Sequence, residues 1–320
     1  MSDAVEKKDP VKTLRKHGRS FYFAYFFLGR DTARKAARLY SFCRMIDDLV
    51  DEQDPAEGTE TLRRISSDIK RGFSTDPNVR DFLDLAEDCK IDTQAALHLI
   101  EGVVMDAGPV RLTTMDDLVQ YSYRVAGTVG LMMCPILGCH EEQAKSHAID
   151  MGIAMQLTNI ARDVLEDAKK DRRYLPKNRI GGISPGQIVE AGPAEREHVR
   201  DALRQVLKRA DEYYRSGEAG LSFLPRRNHL TILIAARIYR HIGVRLRNGG
   251  CDVWAGREIV PFTHKIGLAC QSLFEFIFAG MFRARPASHN LSLHLNLQGF
   301  PGTHNPSAGE DTDKPKRATG

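Results

Sequence analysis

Apolar residues recur at helical spacing in stretches near 33–53, 61–73, 78–88, 92–106, 115–137, 141–169, 194–217, 228–249 and 262–283. Each presents one apolar face and one polar face, the signature of amphipathic helices. No alternating run of the kind a half-buried strand requires stands out between them. Gly and Pro fall mostly in the gaps, at Gly108-Pro109, Gly181-Gly182, Pro185-Gly186 and Gly192-Pro193, as chain breakers should. The pattern predicts an all-α bundle. No long linker separates its parts, so a single helical domain is expected over 15–285. From about 286 the composition turns to Pro, His, Ser, Asn and Gly, too polar to order itself, which predicts a disordered tail over 286–320. A flexible, charged N-terminus is expected over 1–14.

Two of the predicted helices keep a second, polar stripe apart from the packing stripe. In the first, Leu39, Phe42, Cys43, Ile46, Leu49 and Val50 form the apolar face, while Tyr40, Arg44, Asp47 and Asp51 follow one another at steps of 4, 3 and 4. In the second, Ile153, Leu157, Ile160 and Val164 pack, and Gly152, Gln156, Asn159, Asp163 and Asp167 make the polar line. Carboxylates at i and i+4 share one helical face, where like charges repel by a few tenths of a kcal/mol. A solvated face in which Arg44 and the acids pair with one another explains either stripe alone. Two such stripes, one also carrying Gln and Asn, point to a cation held between facing helices. An all-oxygen donor set suits a hard ion, Mg²⁺ or Mn²⁺, which keeps water and phosphate oxygens among its ligands. No EF-hand loop is present to argue for calcium. Asp48 lies off the stripe, behind the site or toward solvent.

Composition narrows the class. With 320 residues and 42% hydrophobic content the chain can bury a sizeable core. A net charge of +4, spread along the chain, lacks the dense basic stripe of a nucleic-acid reader. Six cysteines show neither CxxC pairs nor scaffold density, which predicts a reduced, cytoplasmic setting. The greasiest runs, SFYFAYFFLG and LFEFIFAGMF, are about half the length that spans a bilayer, and peripheral membrane contact stays open.

A phosphate-bearing substrate also needs fixed cations. Arg44 and Arg162 lie within a turn of the acids, and His17, Arg19 and Ser20 form a polar cluster upstream. Arg162 has an alternative in a surface pair with Glu166 at i+4. In YSYRVAGTVGLM, Ala126, Gly127 and Gly130 interrupt an apolar helix, where each Gly costs roughly 1 kcal/mol relative to Ala. Small residues there leave a groove for an apolar ligand or let another helix pack closely, and the sequence does not choose. Phe21, Phe23, Tyr25, Phe26 and Phe27 read as core more readily than as pocket.

Four blocks together resemble the squalene/phytoene synthase family: HGRSFYFA, LYSFCRMIDDLVDE, YSYRVAGTVGLM followed by ILG, and GIAMQLTNIARDVLEDAKKDRRYLP. The resemblance spans roughly 15–285, and IYRHIG with CDVWAGREIV is most similar to bacterial phytoene synthases. It implies an isoprenoid-synthase bundle around a central apolar cavity. It also implies Mg²⁺ held by Asp47, Asp51, Asn159, Asp163 and Asp167 against two isoprenyl diphosphates, with His17, Gly18, Arg19, Ser20, Tyr40, Arg44, Gln156, Arg162 and Tyr239 contacting substrate and Tyr121 near the reacting carbons. Many relatives have Ser where this chain has Gly18, so a backbone contact is expected to replace that hydroxyl. The implied reaction is head-to-head condensation of two geranylgeranyl diphosphates through a cyclopropyl diphosphate to phytoene, without NADPH. Farnesyl diphosphate as substrate is the enzymatic alternative, and a non-catalytic assembly factor the alternative of another class.

Overall fold

The computed structural model describes residues 9–52, 54–279 and 288–303, and the side chains of Arg19 and Ser20 lie outside the described set. Each predicted stretch contains a helix: α3 Arg30–Asp51, α4 Pro55–Arg71, α5 Pro77–Cys89, α6 Thr93–Val104, α7 Met115–Ser122, α8 Thr128–Ile136, α9 Glu142–Lys169, α11 Pro193–Ala219, α12 Arg226–Asn248 and α13 Phe262–Ala279. Of those stretches, positions 53 and 280–283 lie outside the described residues. Three short helices escaped the periodicity argument, α1 Pro10–His17, α2 Arg19–Tyr25 and α10 Pro185–Val189. So did two-residue strands, β1 Val110–Arg111 and β2 Arg172–Arg173, which pair in parallel.

An Asp-Pro step sets several helix starts. Asp9, Asp54 and Asp76 each accept backbone N–H bonds from the next turn, and the proline that follows occupies a position whose N–H would have no partner. This is why α1 begins at Pro10, inside the stretch expected to be flexible, and why Leu14 is buried. Helix α9 is the hub: it packs on α11, α8, α12 and α10, while α3 closes the other side against α1, α4, α5 and α6. Between α7 and α8 the chain widens into a π-helical turn over Tyr123–Gly127.

The glycines of that region answer the question left by the sequence. A Cβ on Gly130 would stand 2.1 Å from the Ala148 carbonyl oxygen, and one on Gly152 would stand 2.2 Å from that of Ala126. Close helix approach is therefore required, and the small residues beside it also leave open space, described below.

The tail prediction fails over 288–303. A 3₁₀ helix, Leu291–Leu297, buries Leu293 and Leu297. Tyr213 Oη donates to the Leu293 carbonyl at 2.9 Å, and Phe300 stacks on Tyr123 at 4.9 Å. Two leucines and a phenylalanine at the right positions outweigh a polar average, because burial is decided residue by residue. The remainder of the predicted tail lies outside the described residues.

Candidate active site

The acidic stripes of α3 and α9 face one another across a cavity of about 200 Å³. Asp47, Asp51, Asn159, Asp163 and Asp167 all line it, as do Arg44, Gln156 and Tyr121. The stripes were legible because α3 and α9 bury their other faces, Ile46 and Val50 on one and Ile153, Leu157 and Ile160 on the other.

Its charges are unevenly balanced. Arg172 Nη1 reaches Asp51 at 2.8 Å and Lys170 Nζ stands 3.5 Å from the same oxygen. Burial pushes the Asp51 carboxyl up, but these two cations bring it below the usual range. Asp163 is held by Arg162 at 2.7 and 2.5 Å and by Arg257 at 2.8 and 3.1 Å. Against burial, those bonds likewise leave its carboxyl low. Asp47 and Asp167 have no ion pair or side-chain hydrogen bond among the described residues. Burial first, then neighbouring acids, push each up to about 7. The Asn159 Oδ1 atom is buried without a hydrogen-bond partner. Two under-compensated carboxylates and an orphaned amide oxygen in one cavity are donors that fit a hard divalent cation.

Beside it lies an apolar cavity of about 320 Å³ that shares Asp47, Val125, Gln156 and Asn159 with the acidic one. Along α9 it runs past Met155, Gly152, Met151 and Ala148 to Ala144. Tyr40, Tyr239, Phe21 and Tyr25 close it from α3, α12 and α2, so two of the five N-terminal aromatics are cavity wall. Phe26 and Phe27 are exposed.

Several expectations need correction. Arg162 pairs with Asp163, while Glu166 takes Arg257 at 3.4 Å. Arg44 is joined to Asp48 at 2.5 Å, which makes Asp48 the residue that sets its position. Gly18 offers no free backbone donor: it caps α1, and its N–H donates to the Leu14 carbonyl at 2.8 Å. A Cβ there would lie 2.9 Å from Leu14 Cδ1 and 3.0 Å from the Tyr40 hydroxyl, so the missing side chain lets Tyr40 close in. His17 is exposed, and what burial it has, with the positive field of Arg44, lowers its proton affinity.

Four contributors were not singled out beforehand. Asp106, in the 3₁₀ turn Met105–Ala107 that follows α6, accepts hydrogen bonds from Tyr121 Oη and Tyr174 Oη, each 2.7 Å, and Arg172 Nη2 donates to its carbonyl at 2.8 Å. Burial leaves its carboxyl above the usual range even so. Arg172 and Tyr174 sit in the RRYLP block, Arg172 on β2 and Tyr174 just after it. Arg257 follows Gly256, whose φ of +122° turns the loop toward α9.

The family model for squalene/phytoene synthase matches residues 14–264. The phytoene synthase of Pseudescherichia vulneris is 33% identical over 295 residues, covering 86% of this chain and 94% of that protein. The 15-cis-phytoene synthase of Pantoea ananas is 32% identical, covering 86% and 93%. Among solved structures, a ligand-bound dehydrosqualene synthase superposes with a TM-score of 0.76 at 27% identity, covering 84% of this chain and 95% of that one. The squalene synthase HpnC from Alicyclobacillus acidocaldarius, at 23% identity and a TM-score of 0.66, shares the fold. With its acidic helices facing across one cavity and relatives matched along nearly their whole length, the chain belongs to the squalene/phytoene synthase family and is a prenyltransferase of the phytoene synthase type.

Proposed function

We propose that the protein joins two geranylgeranyl diphosphates head to head to give phytoene and two diphosphates, with Mg²⁺ held by Asp47, Asp51, Asn159, Asp163 and Asp167. The observation that carries the reading is the continuity of the acidic and apolar cavities through Asp47, Val125, Gln156 and Asn159. A molecule with a charged head and a long hydrocarbon tail fits that shape. From Asn159 to Ala144 the apolar wall follows α9 for ~22 Å by helix rise. A prenyl main chain of sixteen carbons, with bonds of about 1.5 Å in zigzag, extends ~20 Å.

When bound, Mg²⁺ neutralises the two diphosphates and stabilises diphosphate as a leaving group. The chain supplies the rest. Arg172 and Lys170 line the head-group cavity, and Arg162 and Arg257 reach it through their pairs with Asp163. Loss of the first diphosphate leaves an allylic cation, and the apolar wall excludes water that would capture it. The same wall aligns the double bond of the second chain for attack on that cation, and loss of a proton from C1 of the first chain closes the ring, giving the cyclopropyl diphosphate with the second diphosphate still attached. A second ionisation, rearrangement and proton loss complete phytoene. Tyr121, fixed by Asp106, lines the head-group cavity, and on this reading its hydroxyl faces the reacting carbons.

The test is product analysis by mass spectrometry with Mg²⁺ and either geranylgeranyl or farnesyl diphosphate, with and without NADPH. Phytoene from the C20 substrate, independent of NADPH, is expected. A C30 product from farnesyl diphosphate alone overturns the chain length while keeping the site.

A product this apolar leaves into lipid. Phe262, Phe274, Ile277 and Phe278 on α13 are exposed, and Phe262 meets Phe23 of α2 at 6.1 Å, beside the cavity wall. We read this face as a peripheral membrane contact. Liposome flotation should fall when Phe274 and Phe278 are both changed to Ser; equal flotation would remove the assignment.

A further inference from the structure

On the opposite half of α9 from the acids, Asp150 is fully buried between core residues Ile149 and Met151. A buried carboxylate demands partners, and it draws them from far along the chain. His289 Nε2 lies 2.7 Å from Oδ2 and His294 Nε2 lies 2.9 Å from Oδ1. Both imidazoles are buried, at 3% and 1% side-chain exposure, and their rings are 4.4 Å apart. The two nitrogens and one carboxylate oxygen all fall within 4.8 Å of one another.

We propose that Asp150, His289 and His294 form a zinc site that clasps the C-terminal segment onto α9. Two imidazole nitrogens with one carboxylate are a donor set for Zn²⁺ and a poor one for Mg²⁺ or Ca²⁺, which take oxygen. Metal–ligand bonds of 2.0–2.2 Å in a tetrahedron space the donors ~3.3 Å apart, a span that the three donor atoms, all within 4.8 Å of one another, already bracket. A third imidazole stands next to them. His147, one turn before Asp150, lies 5.2 Å from His289 by ring centres. The Ser216 carbonyl accepts from its Nδ1 at 2.7 Å, which fixes the orientation of the ring.

A surface cavity of about 540 Å³ lies beside the site, bounded by His147 and by Ser288 and Asn290, the chain neighbours of His289. The need for a metal is present, because the segment is polar in composition yet packs into the bundle, and a metal supplies the ordering energy that a short, polar segment lacks. The site is separate from the acidic cavity. Asp150 and Asp163 are thirteen helical steps apart on α9, or ~20 Å.

The experiment uses the untagged full-length chain, loaded with Zn²⁺, dialysed against metal-free buffer and measured for metal content. About one zinc per chain is expected to remain, and the His289→Gln/His294→Gln double variant is expected to retain none. Zinc that washes out of the wild type, or that the variant retains equally, overturns the proposal and leaves plain His–Asp hydrogen bonds. Should the variant not fold, Co²⁺-loaded wild type decides: an intense visible spectrum of a four-coordinate imidazole site supports the clasp, and a weak six-coordinate spectrum rejects it.

Discussion

Arg257 reaches Asp163 across 94 residues of sequence with two nitrogens, at 2.8 and 3.1 Å, so the carboxylate assigned to metal is already engaged by a cation from a loop. The loop residue is more exposed than its partner, at 46% against 17%, and is the one free to leave. On the proposed metal assignment, Arg257 competes with the ion for Asp163. Arg257→Gln should lower the Mg²⁺ concentration for half-maximal rate by roughly two- to fivefold, the scale of a partly exposed ion pair, while raising KM for substrate. A Mg²⁺ titration of initial rate checks both; an increased Mg²⁺ requirement would contradict the competition.

Asp47→Ala and Asp163→Ala should keep the helical circular-dichroism signal yet lose ~10²–10³ in turnover, as removal of one strong electrostatic stabiliser does. Full activity in either variant would refute the metal assignment.

The proton and the metal should also compete. Asp47 and Asp167 titrate at about 7 in the fold, against 3.8 ordinarily. Between those values the metal-free fold holds protons that the unfolded chain has lost, so the contribution of these two groups to stability falls as pH rises through about 7. Mg²⁺ needs the carboxylates and gains over the same range. The rise in Tm on adding Mg²⁺ should therefore be larger at about pH 8 than at about pH 6, and equal rises would argue that these acids are not ligands.

Tyr174→Phe removes one of the two phenols that donate to Asp106. Because that hydrogen bond favours the charged carboxylate, its loss should move the acid limb of the rate profile to higher pH. A pH–rate profile identical to wild type would exclude Asp106 from the catalytic charge balance.

Gly152→Ala and Gly130→Ala each drive a methyl group into a facing backbone oxygen. Overpacking against a side chain costs 1–3 kcal/mol, and backbone yields less, so about 3 kcal/mol or more is expected. Thermal melts should fall by several degrees, and unchanged melts would show that the helices can separate.

What the sequence made legible was local. Spacings of 3 and 4 put Asp47 with Asp51 and Asp163 with Asp167 before any coordinates, because a helix converts spacing into direction. Asp106, Arg172, Tyr174 and Arg257 obey no such rule: they come from a 3₁₀ turn, a two-residue strand with the residue after it, and a loop, and tertiary packing alone brings them to the site. Gly18 shows the complementary failure. The resemblance gave it a phosphate contact, while the hydrogen bond that ends α1 had already taken its N–H. His289 and His294 were lost in the polar average of the tail for the same reason that Leu293 and Leu297 were.

One continuous helix, α9, carries the far end of the apolar cavity at Ala144 and the residues of the proposed metal site at Asn159, Asp163 and Asp167. Inserting or deleting a single residue between them would rotate everything beyond it by ~100° and swing those residues out of the cavity. Along this helix product length is therefore open to change by substitution and closed to change by insertion or deletion, so divergence in chain length must proceed at fixed spacing between cavity end and metal-site residues.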